Sequence, residues 1–368
     1  MYSSSPKRLQ PLITTPPALA ALVARLDTQP RFGLDTEFLR ERTYRAELCL
    51  IQIATPTEAV GVDPLQLDDL KSLAGVLTAP AALKVMHAAR QDLEVLWPIA
   101  APTRPVFDTQ IAASLIGLPA QIGYADAVRR LLGRQLAKSH TRTDWSRRPL
   151  SAAQIEYALD DVRYLLPLAE KLQAELARLG RLEWLGEELR SLDAQRSLTV
   201  EPEEAWRRVK GLSDLGTARE RLARALAAWR ERTAMEHNRP RGWILRDEVL
   251  REIVLRVPRT LEALAQVEGM PPGFVKRRGE ELLASVRAAE VPDPPPPLAG
   301  RARPDPLKAA LVRKLGTISH SVARELNLVP EVLATRRDLE QLAEGRRDGA
   351  LLRGWRARVL GERLLAAL

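Results

Sequence analysis

The chain has 368 residues, a length that suits two or three domains and allows a sizeable hydrophobic core. A hydrophobic content of 45% and a charged content of 28% are typical of an ordinary soluble globular protein, and no apolar run approaches the roughly 18 residues of a membrane span. The net charge of +9 favours a polyanionic partner, with nucleic acid ahead of an anionic membrane surface, although a generic arginine-rich surface would give the same charge.

The single cysteine and the N-terminal segment bear on the cellular location. Cys49 lies in the apolar run LCLIQIA and is predicted to be a buried core thiol. With one cysteine no intrachain disulfide can form, which fits a reducing compartment. The segment MYSSSPKRLQPLITTPP lacks the apolar centre of a secretory signal peptide. We therefore expect a cytoplasmic protein without membrane association.

The first part of the chain alternates predicted strands with predicted helices. Strands are indicated by the segments RFGLDTEF, AELCLIQIA and EAVGVDP. Two later segments change from strand to helix: LKVM runs into AARQDLEVLW, and PVFDTQIAASLIG repeats the pattern. Strands interleaved with helices at this spacing predict a layered α/β domain, with a sheet covered by helices on its faces.

A long helix is predicted next, in the segment SAAQIEYALDDVRYLLPLAEKLQAELARLG. Ser151 followed three residues later by Gln154 is a capping-box pattern, so Ser151 is the predicted N-cap. Pro167 falls inside the helical pattern. Because proline lacks a backbone N–H and its ring clashes with the preceding turn, we expect a kink or an interruption of the helix there.

Strand signals end at about residue 195, and the rest of the chain has leucine, alanine, arginine and glutamate at helical spacing. The proline-rich stretch VPDPPPPLAGRARPDP is predicted to be a semi-rigid linker between two helical modules. The predicted organisation is therefore an α/β domain, a helical domain, a linker and a second helical domain, over residues 1–195, 203–290, 291–306 and 307–368.

Four carboxylates in three separated stretches carry the strongest functional signal. Asp35 and Glu37 lie in GLDTEF, Asp92 in HAARQDLEVL, and Asp161 in YALDDVRYLL. Acidic side chains embedded in apolar segments are costly unless something pairs with them. No basic residues are equally placed, so a divalent cation is the expected partner, and hard cations prefer oxygen ligands. The pattern points to metal-dependent phosphoryl chemistry.

The spacing of these residues is consistent with one shared site. Residues two apart face the same side of a strand, so Asp35 and Glu37 point together. Residues four apart share a helix face, so Tyr157 and Asp161 point together, and this spacing prefers Asp161 over Asp160. Each residue alone has an ordinary explanation, as a surface acid, a helix-end charge or a core tyrosine. The combination favours a site.

The segments DTEF, HAARQDL and YALDD, in this order, resemble the three motifs of the DEDD exonuclease superfamily in its tyrosine-containing branch. The longer stretches LDTEFLRERTYRAELCLIQIA, FDTQIAASLIG and KSHTRTDWSRRPL resemble the ribonuclease D family within that branch. The resemblance covers residues 30–175 and is specific. Five characteristic positions match: Asp35, Glu37, Asp92, Tyr157 and Asp161.

The resemblance implies a ribonuclease H-like mixed sheet flanked by helices and a 3′-to-5′ exonuclease that releases 5′-monophosphates. It implies that the four carboxylates hold two divalent ions, Mg²⁺ or Mn²⁺, around the scissile phosphate. It also implies that Tyr157 positions or activates the attacking water. A tyrosine, with a reference pKa of ~10, is a poor base at neutral pH, so orientation of the water is favoured and general-base action stays open.

Residues near the motifs have more than one interpretation. By the resemblance, the main chain near Thr36 and the ring of Phe38 could contact the terminal nucleotide, and His87 could contact the substrate. Phe38 could equally be core, and His87 could be a hydrogen-bonded residue at a strand end. A basic stretch could hold phosphates or be a solvated loop: Lys138, Arg142, Arg147 and Arg148. Asp108 and Asp144 are assigned structural roles, as caps or salt-bridge partners.

The helical segments also carry a resemblance. PRGWILRDE, PRTLEAL and RRGEELL resemble an HRDC domain, a module that also occurs in RecQ helicases, and the stretch after the linker resembles a second, more divergent HRDC-like module. Such modules imply basic surface that gathers RNA, with candidates that could also be ordinary helix-end cations: Lys276, Arg277 and Arg278. An aromatic content of only 4% predicts contacts to the RNA backbone rather than extensive base stacking.

These features predict a 3′-to-5′ exoribonuclease acting on RNA with an accessible single-stranded 3′ end. The resemblance implies tRNA precursors and other small RNAs as substrates, and a monomer is the expected state. Two alternatives stay open: a 3′-to-5′ exodeoxyribonuclease in DNA repair and a non-catalytic nucleic-acid-binding scaffold. The first stays open because the catalytic residues act on the phosphate, which RNA and DNA share. The intact set of five residues argues against the scaffold. One cysteine and scattered histidines almost exclude a zinc site.

Overall fold

A computed structural model describes residues 12–136, 143–193, 201–212, 215, 217–292 and 305–368. The described residues form two compact units. The first contains residues 12–39, 48–136, 143–193 and 305–368, and the second contains residues 40–47 with the described part of 201–292. Most of the predicted proline-rich linker lies outside the described residues.

The first unit is built on a mixed sheet, which confirms the predicted α/β class. Its strands in the described residues are β1 (Arg31–Leu39), β2 (Glu47–Ala54), β3 (Ala59–Val62), β4 (Leu83–Met86) and β5 (Val106–Asp108). The strand order is β3-β2-β1-β4-β5. β1 pairs in parallel with β4, and β4 with β5, whereas β2 and β3 are antiparallel. The strand that bears Asp35 and Glu37 is therefore central in the sheet.

Helices cover both faces of this sheet. They are α1 (Pro16–Leu26), α2 (Lys71–Thr78), α3 (Arg90–Leu96), α4 (Thr109–Leu115), α5 (Tyr124–Leu132), α6 (Ala152–Arg163), α7 (Leu165–Arg178) and α8 (Leu182–Asp193). On one face, α1 to α3 share a buried cluster with Phe32 and Leu34 of β1. On the other, α4 to α8 share a cluster with Val85 and Phe107. Alternate strand residues thus point into two separate hydrophobic layers.

The predicted long helix begins and breaks for the expected reasons. The Ser151 hydroxyl accepts the N–H of Gln154 at 3.2 Å, and Gln154 Oε1 accepts the N–H of Ser151 at 2.8 Å, so the capping box is confirmed. The helix is interrupted at Tyr164, between α6 and α7. Pro167 cannot donate to the carbonyl of Arg163, four residues earlier, so the break falls one turn before the proline.

The second unit is helical around a core of its own. After a 3₁₀ turn (Pro202–Arg208), its helices are α9 (Thr217–Glu236), α10 (Arg241–Ile244), α11 (Asp247–Arg256), α12 (Leu261–Ala265) and α13 (Phe274–Ala288). Leu226, Leu250 and Leu282 are fully buried together in it. None of the helices in the described ranges is long and apolar enough to cross a lipid bilayer.

The C-terminal segment is helical and packs into the first unit. Its helices are α14 (Pro306–Glu325), α15 (Pro330–Leu333), α16 (Arg336–Ala343), α17 (Gly354–Arg356) and α18 (Glu362–Leu365), with a 3₁₀ turn (Ala350–Leu352) and a π turn (Ala357–Gly361). Leu315, Val322 and Leu360 lie in the same buried cluster as α4, α7 and α8. Residues 307–368, predicted to be a separate domain, are part of the first compact unit in the structure.

Trp355 joins this segment to α8. Its side chain is 1% exposed, and its ring stacks on Trp184 with centroids 4.5 Å apart and planes 11° from parallel. Its backbone N–H donates to Glu187 Oε2 at 2.7 Å, and its indole N–H donates to Glu188 Oε1 at 2.8 Å. Both polar groups of the tryptophan are thus satisfied while its ring is removed from water.

Candidate active site

Strand β1 presents two of the predicted carboxylates to α6. Gly33 precedes Asp35 by two residues on the same side of the strand, and a Cβ there would lie 3.2 Å from the carbonyl oxygen of Val162. The missing side chain therefore lets α6 pack closely against the strand face that bears Asp35 and Glu37. Because α6 contains the third sequence motif, this close packing brings the first and third motifs together.

The residue between the two β1 carboxylates holds Asp92. Thr36 is buried, and its hydroxyl donates to Asp92 Oδ1 at 2.6 Å. Asp92 lies in the first turn of α3, as predicted, and α3 follows β4, the parallel neighbour of β1. The carboxyl ends of adjacent parallel strands thus bring Asp92 to the same place as Asp35 and Glu37. The predicted role of Thr36 concerned its main chain, and no sequence signal pointed to this role of its side chain.

Asp108 fixes the turn that leads into α3. Its carboxylate accepts the backbone N–H groups of Ala88 at 3.1 Å and Ala89 at 2.9 Å. The same carboxylate caps the first turn of α4 by accepting two more backbone N–H groups, which confirms its predicted cap role. Ala88 has φ of +56°, a region that residues with a Cβ seldom occupy. Asp108 therefore stabilises the strained turn from which Asp92 projects.

Helix α6 contributes Tyr157 and Asp161, one turn apart. Asp160, the neighbouring acid, is instead bonded to Arg163, which also lies 3.1 Å from Glu156. Asp160 thus has a basic partner on its own helix. The preference for Asp161 over Asp160 as a member of the site is supported by this pairing.

Desolvation raises the pKa of all four carboxylates, and at Asp35 and Glu37 the charges of other members of the set add to it. Desolvation raises the pKa of Asp35 well above its usual range, and the charges of Asp92, Asp161 and Glu37 raise it further. Desolvation, followed by the charges of Asp161 and Asp92, raises the pKa of Glu37 to about 8. Desolvation also raises the pKa of Asp161 to about 7 and that of Asp92 to about 6. Burial and repulsion destabilise the ionised form of these carboxyl groups, so binding of a proton or a metal cation is favoured.

The donor set fits a divalent cation in chemistry and charge, without being a preformed ligand cage. Within the described residues, no three acidic, histidine or cysteine side chains are arranged closely enough to bind a metal ion as they stand. Like-charged carboxylates repel at short range, and Asp92 is engaged by Thr36. All four donors are nevertheless carboxylate oxygens, the type that Mg²⁺ and Mn²⁺ prefer. The structure brings these four carboxylates to one place but does not arrange them as a metal-binding cage.

Tyr157 packs against Trp145, a residue that sequence analysis did not single out. The ring centroids lie 6.3 Å apart with planes 24° from parallel, and Trp145 is buried. Desolvation raises the pKa of Tyr157 to about 12, and the charges of Asp161, Glu37 and Asp35 add to the shift. The phenol therefore keeps its proton at neutral pH and is able to donate a hydrogen bond.

Arg148, one of the predicted phosphate-binding candidates, has a structural role. Its Nε and Nη2 donate to the two carboxylate oxygens of Asp63 at 2.6 and 2.8 Å, and Nη2 also donates to the carbonyl of Cys49 at 2.7 Å. Burial alone would raise the pKa of Asp63, but hydrogen bonds from Arg148 and Gln66 hold it below its usual value. A guanidinium engaged in this way is not available to an RNA phosphate. It also donates to the Trp145 carbonyl at 2.7 Å and so fixes that segment.

His87 is engaged within the protein through both ring nitrogens. Nδ1 lies 2.8 Å from Thr109 Oγ1, and Nε2 lies 2.9 Å from the carbonyl oxygen of Ile122. Burial lowers the pKa of His87, so the neutral ring is favoured. These contacts leave neither nitrogen for a substrate phosphate. The structure thus supports the hydrogen-bonded interpretation of His87 over its role as a substrate contact.

The remaining candidates have simpler outcomes. Phe38 is half-buried near the end of β1, and its contact with a nucleotide stays a prediction. Arg147 is exposed and paired with Asp144 at 3.2 Å, in agreement with the structural role expected for that acid. Two further candidates lie outside the described residues: Lys138 and Arg142.

Tyr124 on α5 faces the same carboxylates, although no sequence signal pointed to it. Its hydroxyl accepts the backbone N–H of Tyr164 at 3.0 Å, and its ring meets His87 edge-on with centroids 5.6 Å apart. Burial raises the pKa of Tyr124, and the charges of Asp161 and Asp35 add to that shift. This phenol therefore belongs to the electrostatic environment of the site.

Comparisons with known proteins agree with this geometry. The profile of a 3′–5′ exonuclease family matches residues 11–177, and the profile of the HRDC domain matches residues 219–286. A ribonuclease D from Nitrobacter hamburgensis is 39% identical over 364 residues, which cover 96% of this chain and 94% of that relative. The chain belongs to the ribonuclease D family. A ribonuclease D from Jannaschia sp. is 42% identical, with 97% of this chain and 94% of that relative covered.

A solved ribonuclease D has the same fold. The crystal structure of Escherichia coli RNase D, an exoribonuclease involved in structured RNA processing, matches with a TM-score of 0.87 at 33% identity, covering 98% of both chains. Membership of the ribonuclease D family makes this chain a 3′–5′ exoribonuclease. The exodeoxyribonuclease and the non-catalytic scaffold are therefore disfavoured. Exonucleases of this family use divalent metal ions.

Proposed function

We propose that Asp35, Glu37, Asp92 and Asp161 hold two divalent ions, Mg²⁺ or Mn²⁺, in the hydrolysis of the terminal phosphodiester of RNA. Such ions, when bound, stabilise the attacking and the leaving oxygen of an in-line displacement. The proposal is supported above all by the raised pKa of Asp35, to which the other three acids all contribute after desolvation. Four mutually repelling carboxylates would be balanced by two ions of charge +2.

Two other residues of the site, Thr36 and Tyr157, would orient a carboxylate and the attacking water by hydrogen bonding. Thr36 would keep Asp92 oriented through its 2.6 Å hydrogen bond. Tyr157 would donate a hydrogen bond that orients the attacking water, because a pKa raised to about 12 keeps the phenol protonated at neutral pH. General-base action by Tyr157 would need its ionised form, which that pKa disfavours.

The proposed substrate is RNA with an accessible single-stranded 3′ end, shortened by release of 5′-monophosphates. The E. coli relative is an exoribonuclease involved in structured RNA processing. On that likeness we propose tRNA precursors and other small structured RNAs as substrates, with Phe38 and the main chain at Thr36 contacting the terminal nucleotide. We also propose a monomer in the cytoplasm, where a buried cysteine outside any disulfide, such as Cys49, suits the reducing conditions.

A gel time course on a 5′-labelled single-stranded RNA tests this function. The reactions contain Mg²⁺, Mn²⁺ or EDTA, beside the matching DNA. We expect a ladder that shortens from the 3′ end on RNA and no product with EDTA. Asp35→Asn and Asp161→Asn should each lower the rate by roughly 100-fold or more, because each removes an anionic ligand of the proposed ions that would stabilise the reacting phosphate.

Asp160→Asn is the matched control for this experiment. Asp160 neighbours Asp161 on α6 but is bonded to Arg163, so its variant should keep most of the activity. Equal losses in Asp160→Asn and Asp161→Asn would contradict the assignment of the site. Cleavage that continues in EDTA would contradict the role of divalent ions.

A further inference from the structure

The second unit exposes one large aromatic side chain. Trp243 on α10 is 59% exposed, and it is the only exposed aromatic residue in the described part of the chain. Tryptophan usually buries most of its large apolar surface, and such burial contributes strongly to folding. The Trp243 ring is mostly exposed to solvent, so it contributes little to the stability of this fold and its surface is available to a ligand.

One arginine lies beside this ring, and two more are close to it in the sequence. The guanidinium carbon of Arg239 lies 5.8 Å from the Trp243 ring centroid, within the range of a cation–π contact. Arg246 follows Trp243 by three residues and is exposed. In the described residues neither Arg239 nor Arg246 is paired with an acidic side chain, and residues 237–246 contain three arginines and no acid. The flat ring thus lies beside an arginine, Arg239, that has no acidic partner in the described residues.

The loop after β1 adds a further arginine to this surface. Asn238 Oδ1 accepts the backbone N–H groups of Tyr44 at 3.1 Å and Arg45 at 3.2 Å. The Tyr44 hydroxyl donates to the fully buried Glu231 at 2.5 Å, and Arg241 lies 3.6 Å from the other oxygen of that carboxylate. These bonds join loop 40–47 to the turn that precedes α10. The Trp243 surface is defined here as Trp243 with the arginines of these two joined segments: Arg45, Arg239, Arg241 and Arg246.

We propose that the Trp243 surface binds single-stranded RNA, with one unpaired base stacked on Trp243 and the adjacent phosphates held by the arginines. An exposed indole ring beside an arginine suits a nucleotide, because every base offers a flat π face and every phosphate a negative charge. The inference rests on the proposed exoribonuclease function and adds to it a contact between the second unit and the RNA.

Equilibrium binding to a labelled ten-nucleotide uridine RNA tests this proposal, with full-length protein in EDTA so that no strand is cleaved. Fluorescence anisotropy gives the Kd of the wild type, Trp243→Ala and Trp243→Phe. We expect Trp243→Ala to raise the Kd roughly 5- to 150-fold, the loss of one stacked base, and Trp243→Phe to recover part of the affinity. Because Trp243 is exposed, neither variant should disturb folding, which circular dichroism checks.

Two controls separate stacking from general effects. An abasic oligonucleotide of the same length keeps the phosphates but offers no base, so Trp243→Ala should bind it as the wild type does, whereas Arg239→Gln should weaken both ligands. Leu307→Ala removes an apolar side chain that is 81% exposed in the first unit, and it should leave the Kd unchanged.

The outcomes separate this inference from the proposed function. A Kd for Trp243→Ala within twofold of the wild type, while the wild type still cleaves the RNA with Mg²⁺, overturns the inference alone and leaves a protein partner as the occupant of the ring. An equal loss of affinity for the abasic strand also overturns it, because the base would then play no part. Failure of the wild type both to bind and to cleave overturns the exoribonuclease proposal as well.

Discussion

At the scale of single residues, the pKa values of the carboxylates depend on neutral hydrogen-bond donors as well as on charged neighbours. Desolvation raises the pKa of Asp92, but the hydrogen bonds from Thr36 oppose it, and the resulting value is about 6. For Glu37, the charges of Asp161 and Asp92 instead add to desolvation, and the value is about 8. Metal ions bind the ionised carboxylates, so binding at this site should release protons and should strengthen as the pH rises.

The raised pKa of Glu37 predicts how the metal-free protein responds to pH. A raised pKa means that the folded state binds more protons than the unfolded state, so stability falls as the pH rises from 4.5, the ordinary value, to about 8. Glu37→Gln removes this charge. We expect it to raise the melting temperature at pH 8.5 in EDTA by roughly 2–4 °C, equivalent to about 1 kcal/mol after solvent screening, with no gain at pH 4.

Differential scanning calorimetry at both pH values, with and without Mn²⁺, measures this effect. The exposed Glu41 supplies the control, since Glu41→Gln should shift neither melting temperature. Mn²⁺ should stabilise the wild type at pH 8.5 more than it stabilises Glu37→Gln. A melting temperature of Glu37→Gln that is lower than that of the wild type at pH 8.5 in EDTA would refute the electrostatic argument.

The contact between Trp145 and Tyr157 predicts a positioning role for the tryptophan. Trp145→Phe keeps an aromatic ring but reduces the parallel surface against Tyr157. We expect kcat to fall roughly 3- to 10-fold with little change in KM, because the phenol is displaced from the water it orients. In a Tyr157→Phe background the same substitution should change kcat little further. Independent, multiplicative losses in this double-mutant cycle would show that the two residues act separately.

At the scale of elements, the site depends on the turns that follow the parallel strands. The turn between β4 and α3 passes through Ala88 at a positive φ, and Asp108 at the end of β5 holds it with two hydrogen bonds. The same carboxylate begins α4. One buried acid thus connects the ends of two neighbouring strands, and it sets the position of the helix that carries Asp92.

Asp108→Asn is predicted to weaken both stability and activity. An asparagine has one acceptor oxygen, and its NH₂ group would face backbone N–H donors, so about 2–4 kcal/mol of stability should be lost. The misplaced α3 should also lower kcat/KM. Urea unfolding and cleavage assays well below the transition measure the two effects. Asp144→Asn, at an exposed acid, should change stability by less than about 1 kcal/mol, and a similar cost at both positions would contradict the role of the turn.

At the scale of the whole molecule, the C-terminal segment completes the core of the first unit. Trp355 is fully buried against Trp184, and both of its N–H groups are bonded to acids of α8. Residues 305–368 share a buried cluster with helices that pack on the sheet. Deleting this segment would therefore expose apolar surface of the first unit. We expect the deletion to destabilise the fold of that unit before any effect on RNA binding can be measured.

Trp355→Ala tests this packing. Truncating a buried tryptophan costs about 3–5 kcal/mol, so the first unit should unfold at lower denaturant concentration. The second unit has its own core and should keep its transition. Denaturation followed by hydrogen exchange resolves the two units. Trp243→Ala is the matched control, because removing an exposed tryptophan should cost less than about 0.5 kcal/mol. A variant at Trp355 as stable as this control would show that the segment packs only loosely.

Much of the fold followed from local patterns. The change from alternating to helical periodicity predicted the α/β class, and the capping box at Ser151 and the break before Pro167 depend only on neighbouring residues. The pairing of Asp35 with Glu37 and of Tyr157 with Asp161 needed only the repeat of a strand and of a helix. Predictions of a side chain's role were less accurate where that role depends on a partner distant in the sequence. Arg148 was a phosphate candidate until the structure showed Asp63 beside it.

The sequence by itself determined which residues we propose for the chemistry, because residue type and local spacing are properties of the sequence. Tertiary structure alone decided where three separated motifs meet, how far their charges raise one another's pKa, and that Trp145, Thr36 and Tyr124 border the site. Tertiary structure alone also decided that the C-terminal helices complete the core of the first unit and that Trp243 is exposed to solvent. Desolvation and contact depend on which distant residues pack together, and the repeat of a single element does not contain that information.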